Sequence, residues 1–160
     1  MSGEDGSRRH KFLVVVDESP EVKQALRYAS RRARRTGGLV SLLYVIQPAD
    51  FHHFAGIERI MREEARDQAE HVLHQAADAS FTVSGQVCEL VIREGKPQDE
   101  ILKLVGEDPG IRILVLGAGT GKEGPGPLVT ALAGQLSGSF QVPITVVPGD
   151  MKDDRLDSLT

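Results

Sequence analysis

A glycine-rich loop is the stretch of this sequence whose composition most directly indicates binding chemistry. Residues 117–127 read GAGTGKEGPGP. Glycines allow successive backbone amides to converge on an anion, and the ammonium group of Lys122 adds a positive charge. The loop therefore predicts a phosphate-binding site, although a shaped surface loop without any ligand would have the same composition.

The spacing within this loop differs from two common phosphate motifs. Three residues separate Gly117 from Gly121, whereas a P-loop has four, and Glu123 follows Lys122 where a P-loop has Ser or Thr. A dinucleotide fingerprint opens a helix directly after the first strand of a domain. This loop comes late in the chain and continues into prolines, so neither motif is indicated.

Asp17 is a second candidate, because it ends the apolar run FLVVV at residues 12–16. A carboxylate at the end of a buried strand can accept hydrogen bonds from a ribose or an adenine amine, or help to hold a metal. It can equally cap the helix that follows. These roles are compatible with one another, and the sequence leaves them open.

Residues that could carry catalysis or bind a metal form no convincing set. His71 and His74 lie three apart on a predicted helix, and His52 and His53 are adjacent in a loop. A metal site needs further ligands at suitable spacing, so surface histidines are expected. Cys88 lies in an apolar stretch, where a small buried side chain is expected. The sequence predicts no catalytic residues and no metal site.

The composition is that of one soluble globular domain. The chain has 160 residues, 40% hydrophobic and 26% charged, with a formal net charge of −4. This charge gives no electrostatic footprint for nucleic acid, and the arginines between 27 and 35 are expected to form a solvated helix face. No run is long enough to span a bilayer. The single cysteine excludes an intramolecular disulfide, which favours a cytoplasmic location.

Short apolar runs alternate with helical patterns along the chain. Strands are predicted at residues 12–17, 39–46, 86–93, 111–117 and 144–147, and helices from Ser19 and Pro20 to Gly37 and over 57–79, 97–105 and 128–137. Strands that are apolar on both faces predict a buried parallel sheet. The fold class is therefore α/β, a doubly wound, Rossmann-like, five-stranded parallel sheet with helices on both faces.

The predicted domain spans residues 11–148. Residues 1–10 are expected to be a flexible N-terminal segment, and residues 149–160 a disordered acidic tail. The strand at Ile144–Val147 is the last addition to the sheet and is therefore predicted at its edge. It is short, β-branched and uncharged, so we expect it to pair with the same strand of a second copy and form a homodimer.

The order of these segments resembles the universal stress protein family over Lys11–Pro148. The matching pieces are FLVVVDES at 12–19, LYVI at 43–46, EGKP at 94–97, ILVLG at 113–117 and VPITVVP at 142–148. The resemblance implies a stress-response regulatory protein that binds an adenine nucleotide, with or without Mg²⁺, at the carboxyl ends of the first and fourth strands. It also points to the same homodimer.

The resemblance also implies a set of nucleotide-binding residues. Asp17 and Val45 would meet ribose and adenine, while Leu116 and Gly117 would lie beside the nucleotide and the loop would hold its phosphates. The full set is Val16, Asp17, Glu18, Val45, Leu116, Gly117, Gly119, Thr120, Gly121, Lys122 and Thr130.

The phosphate motif of the ATP-binding branch of that family is incomplete here. That motif is Gly, two residues, Gly, nine residues, Gly, and then Ser or Thr. Gly117 matches its first position, but Thr120 and the pair Thr130–Ala131 stand at the later ones. Two alternatives therefore stay open: a stress protein that binds no nucleotide and acts through contacts with an unknown regulatory protein, and a slow nucleotide hydrolase.

Overall fold

The computed structural model describes residues 9–48 and 55–160. Its strands form one parallel sheet, comprising β1 (Lys11–Val15), β2 (Leu39–Ile46), β3 (Glu89–Glu94), β4 (Ile111–Ala118) and β5 (Ile144–Pro148). The spatial order is β3-β2-β1-β4-β5, so the chain moves outward in one direction from β1 and then returns to add strands on its other side. The predicted doubly wound α/β fold is confirmed.

Helices cover both faces of this sheet. They are α1 (Val22–Thr36), α2 (Ala55–Ser84), α3 (Pro97–Glu107), a π-helical segment (Val129–Gln135) and α4 (Asp153–Ser158). Successive side chains of a strand point to opposite faces. Phe12 and Val14 of β1 accordingly pack in one core cluster with α1, α2 and α4, and Leu13 and Val15 pack in another with α3 and the π-helical segment.

The first helix ends where it was predicted to end but begins later than predicted. The helix ends at Gly37, whose φ of 74° is favoured by glycine and whose amide donates to the carbonyl of Ala33. It begins at Val22, with Glu21 in the capping position. Ser19, the predicted cap, instead donates its amide to Oδ1 of Asp17 at 2.8 Å. The residues that resembled a helix start therefore belong to the turn after β1.

Residues 149–160 correct the prediction of a disordered tail. They form α4, which packs against α1 with Leu156 fully buried. Arg27 donates two hydrogen bonds to the carboxylate of Asp157, at 2.8 and 2.7 Å, and this holds the pKa of Asp157 below its ordinary value. Three of the arginines expected on a solvated helix face, Arg27, Arg31 and Arg32, thus contact the acidic segment. Composition alone suggested disorder, but opposite charges and one buried leucine fix the segment.

The beginning of the chain is described from Arg9. Residues 1–8 of the predicted flexible segment lie outside the described residues, as do His52 and His53. Arg9 donates to the carbonyl of Gly37 at 3.0 Å, so the chain is already in contact with the end of α1 there. None of the helices among the described residues is long and apolar enough to cross a membrane.

Candidate functional site

A cavity of about 230 Å³ opens beyond the carboxyl ends of β1 and β4. This is the point where strand order reverses, the usual position of ligand sites in doubly wound sheets. Its walls come from the end of β1, the start of α1, the end of β4 and the loop before the π-helical segment. They are Val15, Asp17, Ser19, Glu21, Val22, Gln47, Pro97, Leu116, Gly117, Pro125, Gly126, Pro127, Leu128 and Val129.

Asp17 is placed to present one carboxylate oxygen to this cavity. Its Oδ1 accepts the hydrogen bond from the Ser19 amide, which fixes the side chain in the turn after β1. Its Oδ2 has no hydrogen bond within the part of the chain that the structure describes. An exposed, oriented carboxylate oxygen can accept a hydrogen bond from a hydroxyl or an amine.

Gly117 allows the start of α1 to approach the end of β4. A methyl group on its Cα would lie only 2.4 Å from the carbonyl oxygen of Glu21. No side chain fits at that distance, so the protein's own packing already requires glycine here. The same close approach brings the Glu21 side chain beneath the loop, where its Oε1 would lie 3.4 Å from a methyl group on Gly119.

The glycine loop is closed by its own hydrogen bonds. The Gly119 amide donates to the carbonyl of Pro125 at 3.1 Å, and the Gly124 amide donates to that of Gly121 at 3.2 Å. The amide and hydroxyl of Thr130 both donate to the Gly126 carbonyl. These donors therefore maintain the shape of the loop and do not point towards a ligand.

The structure brings together three of the residues predicted for nucleotide binding. Asp17, Leu116 and Gly117 line the cavity. Val16 and Val45 pack in the two core clusters, on opposite faces of the sheet. The other six predicted residues lie near the cavity's rim or on the surface, outside its lining; they are Glu18, Gly119, Thr120, Gly121, Lys122 and Thr130.

Glu18 lies on the far side of this turn and interacts with Tyr44. The Tyr44 hydroxyl donates to Glu18 Oε1 at 2.8 Å. Burial, followed by this hydrogen bond, raises the pKa of Tyr44 to about 12. The contact ties the end of β1 to β2 beside the cavity.

Several lining residues were not in the predicted nucleotide-binding set. Gln47 directly follows β2, where the rule that ligands bind at strand ends points, but it was assigned no role. Glu21 gave no such signal, because it reaches the cavity only through the packing of α1 against β4. Pro125 and Pro127 were taken as an interruption of a glycine motif, whereas they form part of the wall.

A second cavity of about 380 Å³ adjoins the first. The two share Gln47, Pro97, Pro127 and Leu128, so they form one elongated groove. The second adds Lys96 and Asp99, whose charges are opposite. Among the lining residues of the first cavity the charged side chains are both carboxylates, Asp17 and Glu21.

The titratable side chains of the described residues were also compared with the requirements of metal and thiolate sites. Within residues 9–48 and 55–160 no group of three or more His, Cys, Asp or Glu side chains could hold a metal ion. His71 and His74 are exposed on α2. Cys88 is buried, and burial raises the pKa of its thiol, which disfavours the reactive thiolate.

Comparison with known proteins gives a consistent family and fold. The model of the universal stress protein family matches residues 8–148. A search of the curated proteins finds no match to the chain. Among solved structures, the universal stress protein UspA from Lactobacillus plantarum is 21% identical and has a TM-score of 0.70, with 88% of this chain and 98% of that chain covered.

Two further solved structures of similar fold contain nucleotides. A universal stress protein from Archaeoglobus fulgidus in complex with dAMP is 20% identical with a TM-score of 0.62, covering 87% of this chain and 98% of that one. A universal stress protein in complex with cAMP is 14% identical with a TM-score of 0.59, covering 89% and 99%. At these identities the similarity establishes the fold.

Proposed function

Because this chain belongs to the universal stress protein family, we propose that it is a stress-response regulatory protein that binds an adenine nucleotide in the groove beside β1 and β4. The observation that carries the proposal is the cavity at the strand-order reversal, with Asp17 oriented at its edge. The adenine nucleotides in the two related structures, dAMP and cAMP, support the choice of ligand.

The two ends of an adenosine fit different parts of this groove. The free Oδ2 of Asp17 is suited to accept hydrogen bonds from the ribose hydroxyls. Val15, Leu116 and Leu128 supply apolar contacts for the adenine ring. Any phosphate would then extend towards the loop of Gly119, Thr120, Gly121 and Lys122 and towards Thr130.

Isothermal titration calorimetry with ATP, ADP, AMP and cAMP tests this proposal. We expect binding of at least one of them, and we expect Asp17→Asn to weaken it about five- to tenfold, because a hydrogen bond to a charged acceptor is worth about 1 kcal/mol more than one to a neutral acceptor. Asp67→Asn is the matched control, since Asp67 is an exposed carboxylate of α2 away from the groove. No heat from any ligand up to millimolar concentration would refute the proposal and favour the regulatory protein partner.

The proposal also includes a Mg²⁺ ion bound with the nucleotide and a cytoplasmic location. The carboxylate of Asp17 is an oxygen ligand of the kind that Mg²⁺ prefers, and it lines the cavity. Titrations with and without Mg²⁺ show whether the ion takes part.

A single cysteine and a nucleotide ligand both suit the cytoplasm. Slow hydrolysis is tested by measuring ADP release from bound ATP.

We further propose a homodimer through β5. This strand is at the edge of the sheet, as predicted, and Val146 is 37% exposed. An unpaired edge of this kind can pair with the same strand of a second copy. Pro143 and Pro148 bracket the strand and limit the length of the pairing.

Light scattering tests the dimer. We expect a mass of twice 17.4 kDa at micromolar concentration, and monomers for Val146→Pro, which removes a backbone donor. Val146→Thr keeps a β-branched residue and should stay dimeric. A wild-type mass of 17.4 kDa would exclude the dimer, and a dimeric Val146→Pro variant would place the interface elsewhere.

A further inference from the structure

We infer that the groove selects an adenine nucleoside or nucleoside monophosphate and discriminates against ATP, because the Glu21 carboxylate lies beside Gly119 in the loop that further phosphates would have to approach. This inference rests on the proposed nucleotide function and narrows it to a class of ligand. It assigns Glu21 as a specificity-determining residue, a role that its sequence context did not indicate.

The position of Glu21 is fixed by three glycines. Its carbonyl oxygen and Cβ contact Gly117, its Oε1 approaches Gly119, and its Cγ would lie 2.8 Å from a methyl group on Gly149. The side chain therefore lies between the end of β4, the loop and the end of β5, and it lines the cavity. Within the described residues it has no hydrogen bond and no ion pair.

The charge of Glu21 is therefore uncompensated at the place where a polyphosphate would need positive charge. Asp17 adds a second carboxylate to the same cavity, whereas the only lysine of the glycine loop, Lys122, is exposed and outside the lining. Like charges in a partly buried cavity repel more strongly than in bulk water. The repulsion grows with ligand charge, and ATP carries about two more negative charges than AMP.

Three amides of the loop are also unavailable to offset this repulsion. The amides of Gly119, Gly124 and Thr130 are bonded to carbonyls of the loop itself. Pro125 and Pro127, which form the wall, have no N–H group at all. In the adjoining cavity Lys96 is balanced by Asp99. Ribose hydroxyls, in contrast, are donors that carboxylates accept, so a nucleoside gains from the same groups that repel phosphates.

Calorimetric titration with adenosine, AMP and ATP, each in EDTA and in Mg²⁺, tests this selection. We expect adenosine and AMP to bind at least tenfold more tightly than ATP in both buffers. Glu21→Gln, which keeps the shape and removes the charge, should raise the affinity for ATP about five- to tenfold and leave that for adenosine within twofold. Glu123→Gln removes the same charge from the exposed part of the loop and should change neither.

Salt dependence provides a second measurement that does not depend on a variant folding. Raising the ionic strength screens repulsion, so wild-type affinity for ATP should improve with salt while that for adenosine stays constant. Tighter binding of ATP than of adenosine in either buffer, or an unchanged ratio of the two affinities in folded Glu21→Gln, would overturn this inference and leave nucleotide binding intact. Absence of binding by all three ligands would instead refute the proposed function.

Discussion

The substitution Leu156→Ala tests whether residues 149–160 belong to the folded domain. Leu156 is fully buried in the core cluster between the sheet, α1 and α2. Replacing it with alanine removes three buried carbon groups, worth about 2.4 kcal/mol at about 0.8 kcal/mol each. The cavity left behind adds up to about 1.5 kcal/mol. We therefore expect the free energy of unfolding to fall by about 2.5–4 kcal/mol, and the melting temperature by about 5–15 °C.

Urea denaturation followed by far-ultraviolet circular dichroism is the suitable assay, because the chain has no tryptophan. Leu159→Ala is the matched control: it lies at the end of the same helix but is 48% exposed, so it should cost less than about 1 kcal/mol. A loss below about 1 kcal/mol for Leu156→Ala, equal to that of Leu159→Ala, would refute the docked α4 and restore the disordered tail.

Two further predictions concern the residues around the groove. Gly117→Ala should destabilise the protein by more than about 3 kcal/mol, because the new methyl group meets the Glu21 carbonyl. Gly121→Ala is the control: a methyl group there has nothing within 4 Å and the residue has no positive φ, so it should cost less than about 1 kcal/mol in the same denaturation assay. Equal effects of the two substitutions would show that α1 does not approach β4 this closely. Burial and the hydrogen bond to Glu18 raise the pKa of Tyr44 to about 12 from its ordinary value near 10.0, so the folded state keeps a proton that the unfolded chain loses. Stability should therefore fall as the pH rises from about 10 towards 12, and denaturation curves of Tyr44→Phe should show a shallower decline.

Hydrophobic patterning was sufficient to predict the parallel sheet. Buried runs such as residues 12–16 and 39–46 are apolar on both faces, and only a parallel sheet covered by helices buries both. The edge position of β5 followed from chain order. The docking of α4 did not, because four aspartates in a polar segment are typical of disorder. Its partners, Arg27 and Arg31, lie more than 120 residues earlier, and no local pattern reveals such a pairing.

The sequence predicted where the candidate site lies but only some of the residues that form it. Strand-end rules located Asp17 and Gly117, since those residues follow buried runs. They did not distinguish a glycine that leaves room for a ligand from one that leaves room for a neighbouring helix. Gly117 is of the second kind, because it contacts Glu21. Loop donors such as the Gly119 amide cannot be counted as available until their own carbonyl partners are known.

The bond between Arg27 and Asp157 joins residues 130 positions apart, and this has a consequence for the order of folding. Contacts between distant residues form after local ones, because a long loop must close first. As the chain is synthesised, α1 is made early and α4 only after every strand of the sheet. The basic face of α1 therefore stays without its acidic partner until synthesis has passed β5. We therefore expect Arg27 and Arg31 to be accessible to other anionic groups in nascent chains until Asp157 has been added.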